Sequence, residues 1–254
     1  MSSGKLSLQN VSLNLGKTPV LHDISFSLEK GKTLTVVGPS GCGKSTMLNV
    51  LSGIITNYRG EIRIDSTLLN EAGLTYGYVP QNLGLLPWKR VKENIMLPER
   101  INENNKIDAN EAKDVLTKLE LSELLHRYPS QLSGGQRQRV ALARVFISQP
   151  DILLMDEPFS ALDTLTADIS RELFLDLWRK YRPTTIFTTH NLSEAVKLGE
   201  YILLLSKQPA RVLRFVKNPI FEDQDYNEAD FVAFKKQLMI WIREGVNDKS
   251  FAHD

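Results

Sequence analysis

Cysteine and long apolar runs are both scarce in this sequence of 254 residues. The one cysteine, Cys42, excludes an internal disulfide, and a single cysteine does not make a zinc site. The longest apolar runs, Tyr201–Leu205 and Leu238–Ile242, have five residues each, whereas a membrane-spanning helix needs about 20. Residues 1–17 show no apolar segment followed by a cleavage site. We therefore expect a cytosolic globular protein with neither a secretion signal nor a membrane span.

An excess of one charge sign is also lacking. Lys and Arg number 31 and Asp and Glu number 30, which gives a formal net charge of +1. Nucleic-acid binding depends on clustered positive charge, so the balance predicts no nucleic-acid partner. Hydrophobic residues make up 42% of the chain, enough for a sizeable core, and the length predicts one domain with an inserted subdomain.

The apolar pattern switches between the spacing of strands and that of helices. Alternating stretches at Leu6–Ser12 and Leu21–Glu29 predict two strands, and Thr33–Val37 is typical of a buried strand. Helical patterns dominate between Gln81 and Ser133, which predicts a helical insertion. From Asp151 onward strands alternate with helices, which predicts a parallel sheet covered by helices.

Helix signals add detail to this plan. Asp108, followed three residues later by Glu111, resembles a capping box at the start of a helix. Apolar residues at Met47, Leu48, Leu51 and Ile54 predict a helix over residues 45–54. The predicted organisation is a single domain over 1–254, with a nucleotide-binding core at 1–81 and 138–210, a helical subdomain at 82–137, and a C-terminal extension at 211–254 that contains a helix over 229–243.

A glycine-rich loop between a predicted strand and a predicted helix is the first motif with a chemical role. Residues 38–45, GPSGCGKS, fit the pattern G-x-x-x-x-G-K-[ST]. Glycines let successive backbone N–H groups face an oligophosphate, and the start of the next helix adds a positive dipole end. Lys44 then reaches the β- and γ-phosphates, and Ser45 ligates Mg²⁺. The expected nucleotide-binding residues are Gly38, Pro39, Ser40, Gly41, Cys42, Gly43, Lys44, Ser45 and Thr46.

Cys42 lies inside this loop. Its simplest interpretation is a small residue that fills space. A second hypothesis is that the loop gives the thiol an electropositive and partly open setting, so that its modification blocks nucleotide binding.

An apolar strand that ends in two carboxylates is the second motif. Residues 152–157 are ILLMDE, and Asp156 follows Lys44 by 112 residues. Asp156 is suited to hold Mg²⁺ through water, and Glu157 to act as the general base that polarises a water beside the γ-phosphate. Such a strand end alone is as consistent with chance or with a helix cap. Together with the phosphate loop it predicts a nucleoside-triphosphate hydrolase.

A second anion-binding turn narrows the class of hydrolase. Ser133 and two glycines would expose N–H groups at the start of a helix over 136–147. The pentapeptide resembles the signature motif of the ATP-binding-cassette (ABC) ATPases, and Ser133 lies 23 residues before Asp156. Its residues are Leu132, Ser133, Gly134, Gly135 and Gln136.

The resemblance implies a fold, a partner chain and cofactors. The fold is α/β, a P-loop NTPase (RecA-like) ABC ATPase core with an N-terminal antiparallel β subdomain and an inserted α-helical subdomain. The cofactors are ATP and Mg²⁺. Each ATP of this family is sandwiched between the phosphate loop of one subunit and the signature of another. A second ATPase subunit, as a homodimer or with a close relative, is therefore expected.

Further residues match the family's motifs one by one. Gln81 matches the glutamine that senses Mg²⁺ or the attacking water, and His190 matches the histidine that contacts the γ-phosphate. Asp163, the last residue of SALD at 160–163, matches the loop that touches the other subunit. The residues expected from this match are Glu157, His190, Lys44 and Gln81 for catalysis, Ser45, Gln81 and Asp156 for the metal, and Asp163 for the dimer contact.

Nearly the whole chain is similar to the ATPase subunit of bacterial nitrate/sulfonate/taurine-type importers. The stretches LLPWK at 85–89, DEPFSALDTLT at 156–166 and EAVKLG at 194–199 resemble that subgroup. Leu85–Trp88 either packs against the insertion or forms a groove for a short cytoplasmic helix of a permease. The subgroup implies a transmembrane permease, an extracytoplasmic solute-binding protein and a peripheral position on the cytoplasmic side of the membrane. It leaves the solute open.

One residue departs from the family's pattern. The family usually stacks adenine on an aromatic side chain shortly after the first strand, and Leu15 stands at the corresponding place. A leucine offers apolar contact without π-stacking, which removes about 1 kcal/mol of base affinity.

Three other classes compete with the importer. A soluble cassette ATPase of cofactor assembly is one, although the DNA-repair versions need coiled-coil insertions that do not fit between Gln81 and Ser133. An export ATPase would differ around Leu85–Trp88 and would be expected with a fused membrane domain. A phosphate-loop kinase or GTPase has no use for LSGGQ.

Overall fold

The computed structural model describes residues 4–101, 107–222 and 227–247. Residues 223–226 and 248–254 of the predicted extension, and residues 102–106 of the predicted helical subdomain, lie outside the described part. The chain forms two compact units. One holds the residues up to Gly73 together with those from Thr184 onward, and the other holds Leu74–Pro183. The subdomain limits predicted from the sequence, at residues 82, 137 and 210, stay predictions.

The chain alternates strands with helices after an opening of strands alone. The strands are β1 (Lys5–Leu15), β2 (Thr18–Glu29), β3 (Thr33–Val37), β4 (Arg59–Ile64), β5 (Thr67–Leu68), β6 (Tyr76–Val79), β7 (Ile152–Asp156), β8 (Thr184–Thr189), β9 (Tyr201–Leu205) and β10 (Val212–Lys217). The α-helices are α1 (Lys44–Leu51), α2 (Val91–Ile95), α3 (Leu97–Ile101), α4 (Ala109–Lys118), α5 (Gly134–Ile147), α6 (Thr164–Tyr181), α7 (Leu192–Leu198) and α8 (Glu228–Asn247). Among the helices in the described ranges, none combines the length and the apolar character needed to cross a membrane.

An antiparallel sheet in the order β2-β1-β4-β5 opens the first unit. Leu6 and Leu8 of β1 are buried, as alternation requires, and then the buried positions shift by one residue to Val11 and Leu13. The shift occurs around Asn10, whose φ of 52° marks an irregularity in the pairing with β2. Such a bulge turns the following side chains back toward the buried face. The predicted pair of N-terminal strands is confirmed.

Four further strands of this unit belong to a mainly parallel sheet. β3 pairs in parallel with β8 on one side and with β9 on the other, and β10 pairs antiparallel to β9. Every residue of β3 and β8 is buried. A strand covered on both faces needs no polar alternation, which explains the runs TLTVV and TTIFTT.

Helix α8 completes this core at the C-terminal side. Leu238 is fully buried in a cluster with Val37, Leu204 and Leu213, and Trp241 packs against the same cluster. α8 extends beyond the predicted 229–243 at both ends.

Helix α1 is shorter than the sequence predicts. It ends before the predicted Ile54, because Gly53 takes a left-handed φ of 76° just after the helix. Ile54 is left 67% exposed.

The second unit joins a parallel strand pair to long helices. β6 pairs in parallel with β7. The rings of Phe146 on α5 and Phe174 on α6 lie 6.0 Å apart, and Phe159 packs edge-on against Phe174. The first contact joins α5 to α6. The second joins the segment that precedes α6 to the helix itself.

The start of α4 shows half of the predicted capping box. The Asp108 carboxylate accepts the N–H groups of Asn110 and Glu111, as an N-cap does. Glu111 does not complete the box, because its carboxylate accepts hydrogen bonds from Lys180 Nζ at 2.6 Å and from the Tyr181 hydroxyl. The long-range partners on α6 take the side chain that the local motif would use.

Candidate nucleotide-binding site

The glycine-rich loop lies between β3 and α1, as the sequence predicts. Gly41 and Gly43 have φ values of 74° and 116°, a region that other residues rarely adopt. A Cβ on Gly43 would come within 3.1 Å of the side chains of Val20 and Leu21. Glycine therefore provides both the turn and the close approach to β2, and α1 begins at the next residue with no acidic side chain in its first turn. Such a loop-to-helix turn suits an oligophosphate.

Lys44 is folded over this loop. Its Nζ donates hydrogen bonds to the carbonyl oxygens of Gly38 at 2.9 Å and Pro39 at 3.0 Å, and the residue is 5% exposed. The neighbouring Ser45 is exposed on the first turn of α1. The loop thus presents an ammonium group and a hydroxyl group at a helix N-terminus.

Cys42 does not have the partly open setting that one hypothesis required. The residue is 1% exposed, and its Sγ lies so close to Gly38 that a Cβ there would be 2.8 Å away. Burial raises the pKa of the thiol, against the lowering effect of Lys44. The reactive-thiol hypothesis is wrong, because the side chain fills the space beneath the loop.

In each unit, predicted site residues follow directly after two strands that pair with each other. In the first unit Val37 pairs with Thr189, so the phosphate loop and His190 follow neighbouring strands. His190 is exposed in the turn between β8 and α7. The carboxyl end of parallel strands is where such sheets bind ligands.

The second unit repeats this arrangement. Val79 pairs with Met155, so the turn that contains Gln81 and the end of β7 are neighbours. Asp156 is 7% exposed, and burial together with the charge of Asp156 raises the pKa of Tyr78. Gln81 is exposed.

Glu157 has an unusual backbone. It is not glycine, yet its φ is 44°, and its carbonyl oxygen accepts both the N–H and the hydroxyl of Ser160. A left-handed non-glycine residue is strained unless its surroundings fix it, and such residues cluster at functional sites. The residue is half-buried.

The signature pentapeptide forms the N-terminus of α5. Ser133 Oγ accepts the Gln136 N–H, and Gln136 Oε1 accepts the Ser133 N–H at 3.0 Å, which completes a capping box. Leu132 is buried. A Cβ on Gly135 would overlap the methyl group of Thr166, and one on Gly134 would lie 3.3 Å from Leu162. The two glycines therefore allow α5 to start directly against the first turn of α6.

Asp163 has a local role as well as its predicted contact with another subunit. It is the N-cap of α6, and its exposed carboxylate accepts the Thr166 N–H at 3.0 Å. That hydrogen bond lowers the pKa of Asp163. The residues of SALD thus lie beside the signature turn, through Leu162 and Thr166.

Leu15 ends β1 at the tip of the hairpin, where it pairs with Thr18. The residue is 50% exposed. The same hairpin supplies Val20 and Leu21, which contact Gly43 of the phosphate loop. An apolar surface is therefore available on the hairpin that borders the loop.

Two polar residues that no sequence motif indicates hold loops of the second unit. The buried Asn94 accepts the Leu86 N–H at 2.7 Å and donates to the carbonyls of Leu86 and Lys89. Arg144 donates to two carbonyls just after Gln81. For Arg144, the one signal in the sequence is its position inside the otherwise apolar run ALARVFI.

The residues predicted to hold the metal carry oxygen donors of the kind that Mg²⁺ prefers. Ser45, Gln81 and Asp156 offer a hydroxyl, an amide and a carboxylate oxygen. Among the described residues, no group of three or more His, Cys, Asp or Glu side chains could hold a metal by itself. Mg²⁺ is usually bound through one or two protein oxygens plus phosphates and water, and each of these side chains carries an oxygen of that kind.

Known proteins that resemble this chain in sequence or in structure belong to the class that the motifs predict. Residues 21–160 match the family model described as ABC transporter. An aliphatic sulfonates import ATP-binding protein of Bacillus cereus is 35% identical over 90% of each chain. A taurine import ATP-binding protein of Escherichia coli (strain K12) is 40% identical over 82% of each. A dimeric bacterial ABC transporter cassette superposes with a TM-score of 0.71 at 30% identity, covering 84% of this chain and 98% of that one.

Proposed function

Because this chain belongs to the ABC transporter family, we infer that it is the ATP-hydrolysing subunit of an importer. The observation that carries this conclusion is the similarity of about nine-tenths of the chain to proteins named as import ATP-binding proteins. The prediction made from the phosphate loop and LSGGQ is confirmed. A kinase, a GTPase, an exporter and a cofactor-assembly ATPase are not favoured.

The transported solute is proposed from the relatives' names. Those relatives are named for aliphatic sulfonates and for taurine, which is itself a small sulfonate. We propose a small organic sulfonate, with nitrate as the second candidate from the subgroup. The ATPase does not touch the solute, so the choice must be tested on the binding protein.

We propose that the residues of the first unit hold the triphosphate. The N–H groups of the loop over 38–43 bind phosphate oxygens, and Lys44 exchanges its loop carbonyls for the β- and γ-phosphates. His190, which follows the strand beside that loop, donates to the γ-phosphate. Leu15 contributes an apolar contact to the base without stacking.

We propose that the second unit supplies the groups that act on water. Glu157 accepts a proton from the attacking water as the water oxygen bonds to the γ-phosphorus and the bond from that phosphorus to ADP breaks. Two hydrogen bonds from Ser160 hold the backbone turn from which the Glu157 side chain leaves. Ser45, Gln81 and Asp156 hold Mg²⁺, which when bound neutralises charge on the β- and γ-phosphates. Gln81 also orients the attacking water.

The signature turn is proposed to act on the ATP of a second subunit. Ser133 and the glycines of LSGGQ present a helix N-terminus, which favours a phosphate. The similarity to a dimeric cassette supports a pair of chains. We propose that Asp163 lies at the contact between them. ATP binding then draws two copies together, and hydrolysis separates them.

The permease is proposed to bind a cleft in the second unit. A cavity of about 410 Å³ lies between β6, α3 and the end of α5, and it includes Tyr76, Leu97, Pro98 and Ile101. Ile101 is 76% exposed, and an apolar side chain exposed at the edge of an apolar cleft marks a surface suited to a partner. A short amphipathic helix of a membrane permease fits such a groove. This role implies a peripheral subunit on the cytoplasmic side of the membrane, together with an extracytoplasmic solute-binding protein.

Co-purification with the permease tests this function. We expect the tagged chain to retain the co-expressed permease of the same importer, and Ile101→Glu to abolish retention because the bound permease would bury a carboxylate. Val232→Glu, which alters an apolar residue 54% exposed on α8, is the matched control. Retention that survives Ile101→Glu contradicts the assigned cleft, and a chain that retains no membrane protein contradicts the importer. Binding of taurine, alkanesulfonates and nitrate to the solute-binding protein of the same importer decides the solute.

A further inference from the structure

Arg144 makes an unusual pair of hydrogen bonds to the loop that follows Gln81. Its Nη1 donates to the Gly84 carbonyl at 2.7 Å, and its Nη2 donates to the Leu83 carbonyl at 2.6 Å. The residue is 8% exposed, so its charge is held away from water by these contacts. The two donors of one planar guanidinium therefore fix two successive peptide groups.

The loop depends on this support. Leu83 and Gly84 both have left-handed φ values, 65° and 56°, and such a conformation is unfavourable for leucine. The Leu83 N–H donates to the Pro80 carbonyl at 2.8 Å, which closes the turn around Gln81. A turn of this kind persists only when surrounding contacts fix it.

We propose that Arg144 is a positioning residue for Gln81. It holds the turn in the conformation that presents the glutamine side chain, and it does so without touching the nucleotide. The proposal rests on the role given to Gln81 in the proposed function. It adds a residue 63 positions away in sequence, on a helix of the same unit.

The position of Arg144 also connects two other features. Its helix, α5, starts at the signature turn of Ser133, and its 14 residues form a rod of about 21 Å. Arg144 itself is among the residues that line the cleft proposed for the permease. A shift of α5, or an occupant pressing on the guanidinium, would therefore move the same two carbonyls that hold the Gln81 turn.

Arg144→Lys tests this role because lysine keeps the charge but loses the two-pronged geometry. In the full-length chain we expect the kcat for ATP to fall about 10- to 100-fold, since a displacement of about 1 Å can cost about 100-fold. The KM for ATP should change less than about twofold, because ground-state binding is untouched. Arg139→Lys is the control, since Arg139 lies on the same helix and pairs with Glu120 instead. It should leave both constants unchanged.

A double-mutant cycle separates this proposal from the role of Gln81. If Arg144 acts through Gln81, Arg144→Lys should lower kcat less than about twofold in a Gln81→Ala background. Losses that multiply in the double variant overturn the positioning role and leave the role of Gln81 intact. Gln81→Ala with unchanged kcat overturns both.

A variant on the loop side keeps the test decisive if Arg144→Lys is poorly folded. Gly84→Ala puts a Cβ 3.0 Å from Pro80 at a left-handed φ, so it disturbs the turn and spares the buried arginine. We expect the same fall in kcat with little change in KM. Normal kcat in Gly84→Ala overturns the proposal.

Discussion

Single side chains of the candidate site often serve the local fold and the proposed chemistry together. Ser133 caps α5, and Asp163 caps α6. A cap satisfies backbone N–H groups that would otherwise lack partners, and its loss costs about 1 kcal/mol. Variants at these residues therefore change stability as well as turnover. Glu157 is better suited to test the chemistry, because its side chain is not a helix cap.

Glu157→Gln should separate nucleotide binding from hydrolysis. The amide keeps the size of the side chain but is no general base, so we expect turnover to fall about 100-fold or more. ATP affinity should be retained, and the ATP-bound chains should accumulate as a closed pair in size-exclusion chromatography. Glu172→Gln, at an exposed position of α6, is the control. Turnover near that of the wild type would remove Glu157 from the proposed role.

Leu15→Tyr should tighten ATP binding. The residue is half exposed at the tip of the β1–β2 hairpin, and a ring there is expected to stack on adenine, with a gain of about 1 kcal/mol, or roughly fivefold in Kd. Ile54→Tyr, the control, places the same ring at another exposed position of this unit. Equal or weaker affinity for ATP in a fluorescence titration of Leu15→Tyr would contradict the assigned base contact.

At the scale of elements, an ionic cluster joins α4 to α6. Lys180 Nζ donates to Glu111 at 2.6 Å and to Asp114 at 3.0 Å, and the Tyr181 hydroxyl also donates to Glu111. The hydrogen bond from Lys180, and after it that from Tyr181, lowers the pKa of Glu111. Burial, together with the hydrogen bond to Glu111, raises the pKa of Tyr181 to about 12.

This cluster should give the protein an acid-sensitive component of stability. Because folding lowers the pKa of Glu111, its contribution is complete above the unfolded value of about 4.3 and is lost as the pH falls through the lower, folded value. Glu111→Gln should lower the urea midpoint at pH 7, and the difference from the wild type should shrink as the pH falls below about 4. Asp176→Asn, whose ion pair with Arg179 stays within α6, is the control. A difference that is independent of pH would refute the ionic explanation.

Sequence patterns predicted elements well where local residues decide the structure. The bounds of β3 follow from a compact run of residues with high strand propensity. β4 and β10 were not predicted, because the apolar residues of RGEIRI and VLRFVK alternate only weakly. β4 pairs with the distant β1, and β10 pairs with the neighbouring β9. The role of Glu111 was predicted wrongly and that of Arg144 was not predicted, because their hydrogen-bond partners lie about 60 to 70 residues away in the sequence. The phosphate loop and the signature were recognisable because each needs only consecutive residues.

For the whole molecule, the proposed site is completed by a second chain. The phosphate loop and the signature of one chain then belong to two different ATP molecules. Neither motif alone can support turnover in that arrangement, and two chains damaged at different motifs can repair each other.

Mixing two inactive variants tests this arrangement. Lys44→Ala removes the phosphate contact, and Ser133→Arg blocks the signature turn. Each alone should be inactive, while an equal mixture should recover roughly a quarter of wild-type turnover, since half of the pairs contain one intact composite site. The control mixes Lys44→Ala with a chain that carries both substitutions, a mixture in which every phosphate loop is damaged. No recovery in the first mixture would contradict the shared site, because it is the result expected if the phosphate loop and the signature of one chain serve the same ATP.

The buried thiol of Cys42 has a practical consequence for following such pairs. A maleimide dye needs an accessible thiolate, and this one is enclosed beneath a loop and disfavoured as an anion. A cysteine introduced at an exposed position such as Asp230 would therefore be labelled against almost no background. Energy transfer between dyes on two such chains would then record, in real time and with the rest of the sequence unaltered, when the two ATPase subunits come together and when they separate.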